Sequence, residues 1–357
     1  MYKSFKIKNF RCFKEITLDP LERLNLIAGK NNAGKTSFLE ALFLHTGPNN
    51  PNLPLTVNIF RGIEFFSVEP EELWGSLFFD KDIEGNIELT SINERDERNT
   101  LKITLEESEE SFITPSTSGA TTTTTIEPET SLSPRSRELL LTYENGTGRT
   151  GISRAVINQQ GEIKGRQSEL KHKFPGVFLP SRNRFLRADA DRYSKLDRKG
   201  KTEQLLHTMK LLEPRLKRLA VLVTGGVPLI NGDIGLNELV PIPIMGEGMV
   251  RLISILLAVY DSPDGIILID EIENGLHHTV MAKVWEAIAQ AARQSNTQIF
   301  ATTHSWECVV AAHQALNASD VYDFLFHRFN LTNGEIKAVT YDQRKLNTAI
   351  ATGLEVR

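Results

Sequence analysis

The chain has 357 residues, of which 40% are hydrophobic and 24% are charged, a composition typical of a globular protein with enough length for one large domain or two smaller ones. Its net charge of −4 gives no global electrostatic case for nucleic-acid binding. No apolar stretch approaches the roughly 20 residues of a membrane span, and Cys12 and Cys308 lack the spacing of a disulfide framework or a zinc site, so we expect a cytoplasmic protein without membrane contact.

The first segment predicts strands that lead into a glycine-rich loop. Residues 2–30 read as short alternating strands that lead into the loop, and residues 36–47 predict the helix that follows. Between them stands GKNNAGKT, in which four residues separate Gly29 from Gly34, Lys35 and Thr36. This spacing is typical of a phosphate-binding loop, where backbone N–H groups and a helix N-terminus surround a phosphate. A plain glycine-rich turn from strand to helix is the alternative interpretation.

The loop predicts roles for its side chains. Lys35 would act as a catalytic residue that reaches the β- and γ-phosphates of a nucleotide, and Thr36 would bind Mg²⁺. The residues that we expect to hold the nucleotide are Gly29, Asn31, Asn32, Ala33, Gly34, Lys35, Thr36 and Ser37.

The middle of the chain changes pattern twice. Short alternating segments from about residue 80 predict an antiparallel β region. Within it, residues 114–137 have almost no large apolar side chains, and we interpret them as a disordered loop. After a strand at 176–181, a basic stretch at 182–201 precedes leucine-rich residues 202–222, whose spacing predicts a helical run. These two segments together predict a helical insertion.

The last third alternates helix and strand signals, which predicts a parallel α/β core with ligands at the carboxyl ends of its strands. One apolar strand ends in Asp270 and Glu271, and the next ends in His304. Beside a phosphate loop, Asp270 would hold Mg²⁺, and Glu271 would orient or deprotonate the attacking water. His304 would position that water or sense the γ-phosphate. Taken alone, the acidic pair would be a solvated turn and the histidine a polar strand end.

A fourth feature precedes a strongly apolar helix. Gly246, Glu247 and Gly248 leave free backbone N–H groups at the start of this helix, and such an end attracts anions. We expect it to act as an anion site whose ligand lies outside the chain's own phosphate loop.

Together these motifs resemble ABC-type ATPases of the SMC, RecF and Rad50 kind, and most closely the ATPase part of the OLD (overcoming lysogenization defect) family. The matching segments are residues 29–36 for Walker A, 266–271 for Walker B, 246–248 for the signature motif, 274–276 for the D-loop and His304 for the switch histidine. The N-terminal NFRCFK resembles a strand motif of the same family, and this places Arg11 among the expected nucleotide contacts.

The resemblance covers about residues 1–65 and 175–330, with two departures. The signature MGEGM lacks the usual serine before its first glycine, and no unambiguous Q-loop glutamine is present. The 235 residues that separate Lys35 from Asp270 are natural for a head whose two lobes are split by an insertion.

The resemblance implies a fold and a partner. The fold would be α/β, an ABC-type ATPase head with a parallel sheet core, an N-terminal antiparallel β region and a helical insertion, in one split domain at 1–357. Its expected parts are an N-terminal lobe at 1–113, the loop at 114–137, the rest of the β region at 138–180, the basic and helical insertion at 181–225 and a C-terminal lobe at 226–357. In these families the signature helix of one subunit completes the nucleotide site of another, which implies a head-to-head homodimer around ATP and Mg²⁺.

The expected function is an ATP-hydrolysing switch that controls a separately encoded effector, such as a TOPRIM-like nuclease, in antiphage defence or DNA maintenance. OLD-family proteins typically carry that nuclease themselves, whereas Asp320 and Asp323 here read as ordinary loop carboxylates. The alternatives are a nucleotide-gated scaffold with slow hydrolysis and a DNA-binding repair ATPase.

A basic run bears on the DNA alternative. Its members are Arg182, Arg184, Arg187, Arg192, Lys195, Arg198, Lys199 and Lys201. Because Asp189, Asp191 and Asp197 are interleaved with it, we interpret the run as a solvated, partly structural face rather than a DNA contact. Arg182 stays a further candidate for reaching the nucleotide.

Overall fold

The computed structural model describes residues 1–63, 70–107, 137–157, 163–170, 175–181 and 185–353. Its strands are β1 Tyr2–Phe10, β2 Phe13–Leu18, β3 Leu24–Gly29, β4 Ile87–Asn93, β5 Arg98–Glu107, β6 Arg137–Glu144, β7 Thr150–Ile157, β8 Ile163–Arg166, β9 Gly176–Leu179, β10 Arg218–Thr224, β11 Val227–Asp233, β12 Val240–Pro241, β13 Ile266–Ile269, β14 Gln298–Thr303, β15 Phe324–Thr332 and β16 Glu335–Tyr341. Its α-helices are α1 Lys35–Thr46, α2 Leu53–Phe60, α3 Pro70–Gly75, α4 Leu186–Arg198, α5 Thr202–Met209, α6 Glu247–Asp261, α7 His278–Gln294, α8 Trp306–Asn317 and α9 Gln343–Ala351.

Two expectations fall outside the described residues. The expected disordered loop at 114–137 lies outside them except for Arg137, which begins β6. Arg182 and Arg184, the first members of the basic run, also lie outside them.

A six-stranded sheet carries the phosphate loop at its centre. Its strand order is β16-β15-β3-β14-β13-β9, and all neighbours pair in parallel except the edge strand β16. Strands β3, β13 and β14 are buried along their whole length. Burial on both faces explains why these segments read as continuous apolar runs. It also brings the carboxyl ends of β3, β13 and β14 to one edge, where polar residues follow each strand.

Side chains from this sheet enter two separate hydrophobic cores. Along β13, Ile267 and Ile269 join the core formed with helices α4 to α9, whereas Ile266 and Leu268 join the core formed with α1 and the other large sheet. The alternation follows from the two-residue period of a strand. The sheet is therefore the middle layer of the molecule.

Helix α1 lies between the two large sheets. Nearly all of its residues are buried, so no polar face marks it in the sequence. The second sheet has seven antiparallel strands in the order β2-β1-β4-β5-β6-β7-β8. Gln298 joins the two sheets, since its side chain accepts from the Tyr2 N–H at 2.8 Å and donates to the Tyr2 carbonyl oxygen at 2.8 Å. The phosphate loop is thus held by a layer on each side.

The predicted fold class is confirmed: a parallel sheet core is joined to an antiparallel β region. After His304 the chain forms a helix, two strands and a short helix, which are α8, β15, β16 and α9. The domain boundaries stay a prediction. Among the described residues, no helix is both long and apolar enough to cross a membrane.

The prediction of one helical run over 202–222 is wrong in its second half. Helix α5 ends at Met209, and residues 218–224 form β10, which pairs with β11. Pro214 cannot continue a helix, and Gly225 and Gly226, with φ of +58° and +78°, supply a tight hairpin turn. The valines of β10 therefore follow the two-residue period of a strand rather than the helical spacing.

Candidate active site

The phosphate-binding loop follows β3 and opens α1, as its spacing predicts. Gly29 and Gly34 have φ of +154° and +83°. A Cβ atom on Gly29 would lie 2.5 Å from the carbonyl oxygen of Phe329, and one on Gly34 would lie 2.6 Å from the ring of Phe13. Both positions therefore require glycine because of the backbone angle and the close approach of neighbours.

Lys35 lies inside this loop and is only 6% exposed. Its Nζ donates to the carbonyl oxygens of Gly29 at 2.8 Å and Lys30 at 3.1 Å. Burial lowers the pKa of Lys35, and the nearby carboxylates, Asp270 foremost, oppose that shift. The ammonium group is thus a partly desolvated cation held by loop carbonyls at the place where the phosphates are expected.

Asp270 joins three structural elements at the edge of the sheet. It follows β13, and its Oδ1 accepts from Thr36 Oγ1 at 3.0 Å and from Thr302 Oγ1 at 2.8 Å. The side chain is nearly buried. The structure therefore brings the two expected metal ligands, Thr36 and Asp270, into direct contact and adds Thr302, which the sequence analysis missed.

Glu271 has a left-handed backbone, with φ of +51°, and its N–H donates to Thr302 Oγ1 at 2.8 Å. Its Oε2 accepts from Asn274 Nδ2 at 2.8 Å. His304 approaches from the next strand, with Nε2 3.5 Å from Glu271 Oε1. The two side chains predicted to act on water therefore face each other across the strand ends.

Two further residues hold these strand ends. Glu273 Oε1 accepts from the backbone N–H of His304 at 2.7 Å and so fixes the loop that carries the histidine. Arg251, buried on α6, donates to the Pro180 carbonyl oxygen at 3.1 Å, to that of Glu271 at 3.3 Å and to that of Asp270. Arg251 is the charged residue within the apolar run of α6, a signal that could have marked it as functional.

Arg11 packs beside the loop, and a buried carboxylate holds it. Its Nε lies 2.7 Å from Glu40 Oε2 on α1, and it also donates to Asn58 Oδ1 at 2.9 Å. Glu40 in turn pairs with Arg61 at 2.6 Å, and Arg61 donates to Ser37 Oγ at 2.9 Å. Burial lowers the pKa of Arg11, and Glu40 opposes that shift. These contacts fix Arg11 against α1, and its expected contact with the nucleotide stays a prediction.

The signature segment lies at the start of α6. Gly246 is its N-cap residue, with φ of +120°, and both Gly246 and Glu247 are exposed. Gly248 packs on the D-loop, since a Cβ atom there would lie 2.5 Å from the carbonyl oxygen of Gly275. Ile244, just before it, is 75% exposed. The segment therefore offers backbone groups and an apolar side chain to solvent.

The residues present fit a magnesium nucleotide. Mg²⁺ prefers oxygen ligands and usually keeps few protein ligands beside waters and phosphate oxygens. One carboxylate and one hydroxyl, already 3.0 Å apart in Asp270 and Thr36, form such a partial set. No group of three or more His, Cys, Asp or Glu side chains suited to a metal occurs among the described residues, so the remaining ligands would come from nucleotide and water.

Comparison with known proteins also indicates a nucleotide site. Residues 24–309 match the model of a family described as "AAA domain, putative AbiEii toxin, Type IV TA system". An ATP/GTP phosphatase of Helicobacter pylori is 26% identical to the chain over 339 residues, which are 90% of each protein. The OLD nuclease of Thermus scotoductus is 47% identical over 53 residues, which are 15% of this chain and 10% of that nuclease.

A solved structure supports the fold. The crystal structure of an SMC head bound to the C-winged helix domain of ScpA superposes with a TM-score of 0.52 and 11% identity, covering 97% of this chain and 99% of that one. At this identity the likeness concerns the fold alone, which is that of an SMC-type ATPase head.

Proposed function

The chain belongs to this AAA-domain family, and from that premise we propose that it is a molecular switch that binds ATP between two copies of itself and controls a separate effector. It is an ATPase of the SMC, RecF and Rad50 kind. The observation that carries the proposal is the meeting of Thr36 and Thr302 on one oxygen of Asp270, beside Glu271 and His304.

The side chains divide the chemistry among them. Lys35 would leave the loop carbonyls and hold the β- and γ-phosphates. Thr36 and Asp270 would hold Mg²⁺, which neutralises charge on the phosphate oxygens when it is bound. Asn274 donates to Glu271 Oε2 at 2.8 Å, so Glu271 is fixed for taking a proton from the attacking water. His304 would position that water.

The signature segment supplies the reason for a second copy. The uncapped start of α6 favours an anion, and the exposed Ile244 beside it favours an apolar contact. In a head-to-head dimer this end would lie against the γ-phosphate held by the partner's loop. ATP would then bias the equilibrium toward the dimer because it contacts both copies only in that state.

The mass in solution tests this proposal. We expect light scattering to give twice the nucleotide-free mass when ATP and Mg²⁺ are added, most completely in Glu271→Gln, where ATP would persist. Lys35→Ala is the control and should keep the nucleotide-free mass in the presence of ATP. If ATP leaves the mass of wild type and Glu271→Gln unchanged, the dimer proposal is wrong, whatever the rate of hydrolysis.

We further propose that the effector is a separate protein that works with this ATPase in the cytoplasm, in antiphage defence. The family description names a toxin, and the OLD nuclease shares a short segment with the chain. We expect the purified chain to leave plasmid DNA intact with ATP and Mg²⁺ or Mn²⁺. Cleavage that is lost in Asp320→Ala would contradict this. Asp323→Ala is a poorer probe, because Asp323 pairs with Arg293 at 2.6 Å.

A further inference from the structure

A large cleft of about 1080 Å³ lies between α4, α5, the end of α6 and α7. It is separate from the nucleotide site. Asp261 and Pro263 line it and precede β13, whereas Asp270 follows β13. The cleft therefore opens near the amino end of β13, and the catalytic carboxylates lie at its carboxyl end.

The lining of this basic cleft carries an excess of positive charge. Its cationic and imidazole side chains are Arg192, Lys195, Lys199, Lys201, His207 and Lys210. Glu203 and Asp261 are its acidic members, so five charged cations face two carboxylates. The whole chain has a net charge of −4, and a local charge of about +3 with neutral histidine therefore has the opposite sign.

Two of the five cations are paired with carboxylates, and the other three have no such partner among the described residues. Asp261 pairs with Lys195 at 3.0 Å and lies 4.0 Å from Arg192, which also binds Asp189 at 3.0 Å. Across the described part of the chain, no carboxylate lies within 4.0 Å of the ammonium groups of Lys199, Lys201 and Lys210. Three exposed lysines around one concave surface repel one another weakly in water, and an anion bound between them would be attracted by all three.

Two other features of the cleft suit a ring-bearing anion. Leu206 and Tyr260 are half-buried, which gives the cleft an apolar and aromatic surface. Lys201 is the N-cap residue of α5, and its side chain makes no capping hydrogen bond, so the first N–H groups of that helix add a positive end. The volume of about 1080 Å³ lies just above the usual range for small-molecule sites, about 300–1,000 Å³.

From this arrangement we infer that the basic cleft is a second binding site, for a small phosphorylated ligand with a flat ring, in chemical class a nucleotide. Lys199, Lys201 and Lys210 bind its phosphate groups, and Tyr260 and Leu206 contact its ring. An extended strand of nucleic acid fits less well, because it needs a long basic track along the surface, whereas the free lysines here are grouped around one cleft.

Pyrene tetrasulfonate, a flat aromatic polyanion whose fluorescence anisotropy reports binding, tests the site. The variant Lys199→Ala/Lys201→Ala/Lys210→Ala removes the free charge. The matched control is Lys102→Ala/Lys283→Ala/Lys337→Ala, which removes three exposed lysines elsewhere. We expect the affinity to fall at least about tenfold in the first variant and to stay within about twofold of wild type in the control. Equal affinities in the two variants would overturn the site.

Displacement then identifies the ligand class. We expect adenosine and guanosine monophosphates, which lack the β- and γ-phosphates that Lys35 would bind, to displace the probe from wild type. Displacement by a single-stranded oligonucleotide alone would overturn the assignment of a small ligand. If the triple variant melts at a lower temperature than its control, Lys201→Gln is used instead. We expect its affinity for the probe to fall about threefold, and an affinity equal to that of the control would overturn the site.

Discussion

The phosphate-loop edge and the signature end of this ATPase satisfy their polar groups in different ways. At the edge, Lys35, Thr36 and Asp270 bind partners within the chain, and each is buried or half-buried. At the signature end, Gly246 and Glu247 are exposed, and the segment contacts the D-loop through backbone. One half is therefore built before any ligand arrives, and the other offers groups that a ligand or a second copy would complete. Substitutions at the phosphate-loop edge should therefore change nucleotide binding and hydrolysis, and those at the signature end should change the association of two copies.

The largest effect is expected from Glu271→Gln. The amide cannot take a proton from water, so the rate of ATP hydrolysis should fall by about 10²–10⁴-fold, as for loss of a general base. ATP affinity should change little because Glu271 is proposed to act on the attacking water, whereas Lys35, Thr36 and Asp270 would hold the phosphates and Mg²⁺. Phosphate release and ATP binding are the two measurements, and Glu286→Gln on the exposed face of α7 is the control. A rate within threefold of wild type would remove Glu271 from its proposed role.

Lys35→Ala should mainly lower the affinity for ATP. It removes the cation proposed to face the β- and γ-phosphates, and loss of such a charge-assisted contact costs about 1.5–3 kcal/mol, or roughly 10- to 100-fold in affinity. Titration of a fluorescent ATP analogue measures it. Lys30→Ala removes an exposed lysine from the same loop and should bind nearly as well as wild type. Equal affinity of the two variants would refute the assignment of the loop.

Ile244→Glu tests the signature end. Ile244 is 75% exposed, so the change should leave the melting temperature of the free chain within about 2 °C of wild type. Placed in a contact between copies, the carboxylate should weaken ATP-dependent association by about tenfold. Val321→Glu, at another exposed apolar residue in the loop before β15, is the matched control. Sedimentation with and without ATP compares them, and equal association would exclude Ile244 from the interface.

The smallest effect is expected in the stability toward acid of the sheet that carries the phosphate loop. His327, buried on β15 beside β3, bonds with Thr340 at 3.0 Å, and burial lowers its pKa to about 3. The unfolded histidine, near pKa 6.5, takes up a proton first, so the stability that neutral His327 contributes is present above pH 6.5 and is lost as the pH falls toward 3. His327→Gln should flatten the fall of melting temperature between pH 6.5 and 4, whereas His278→Gln, exposed on α7, should not. Parallel curves for wild type and His327→Gln would contradict this.

Local sequence patterns predicted most of the phosphate-loop edge and the strands that lead to it. The spacing of Gly29, Gly34 and Lys35 is confined to one turn, and the apolar runs before Asp270 and His304 predicted buried parallel strands. Such signals survive in a single sequence because the residues that interact are close along the chain. The prediction of strands and helices after residue 247 succeeded for the same reason.

Contacts between distant segments could not be predicted in this way. Thr302 meets Asp270 across 32 positions, and Arg251 on α6 reaches the carbonyl oxygens that follow β13. Each residue type is ordinary where it stands, and only the folded sheet brings the partners together. The error at 218–224 had another cause. The leucines and valines there also fit helical spacing, and only the Gly225–Gly226 turn that follows indicates a strand of a hairpin.

The contact between Gly248 and Gly275 has a consequence for how this protein tolerates change. A Cβ atom on Gly248 would meet the carbonyl oxygen of Gly275 at 2.5 Å, and a Cβ atom on Gly275 would meet the Gly248 nitrogen at 2.9 Å. Because backbone atoms are among the nearest neighbours on both sides, one added methyl group could be accommodated only by moving the start of α6 away from the D-loop. Signature and D-loop should therefore vary together in evolution, and a library that randomises either position alone should return almost only glycine. In a library that also varies the loop before α6, survivors with alanine at either position should carry compensating changes in that loop.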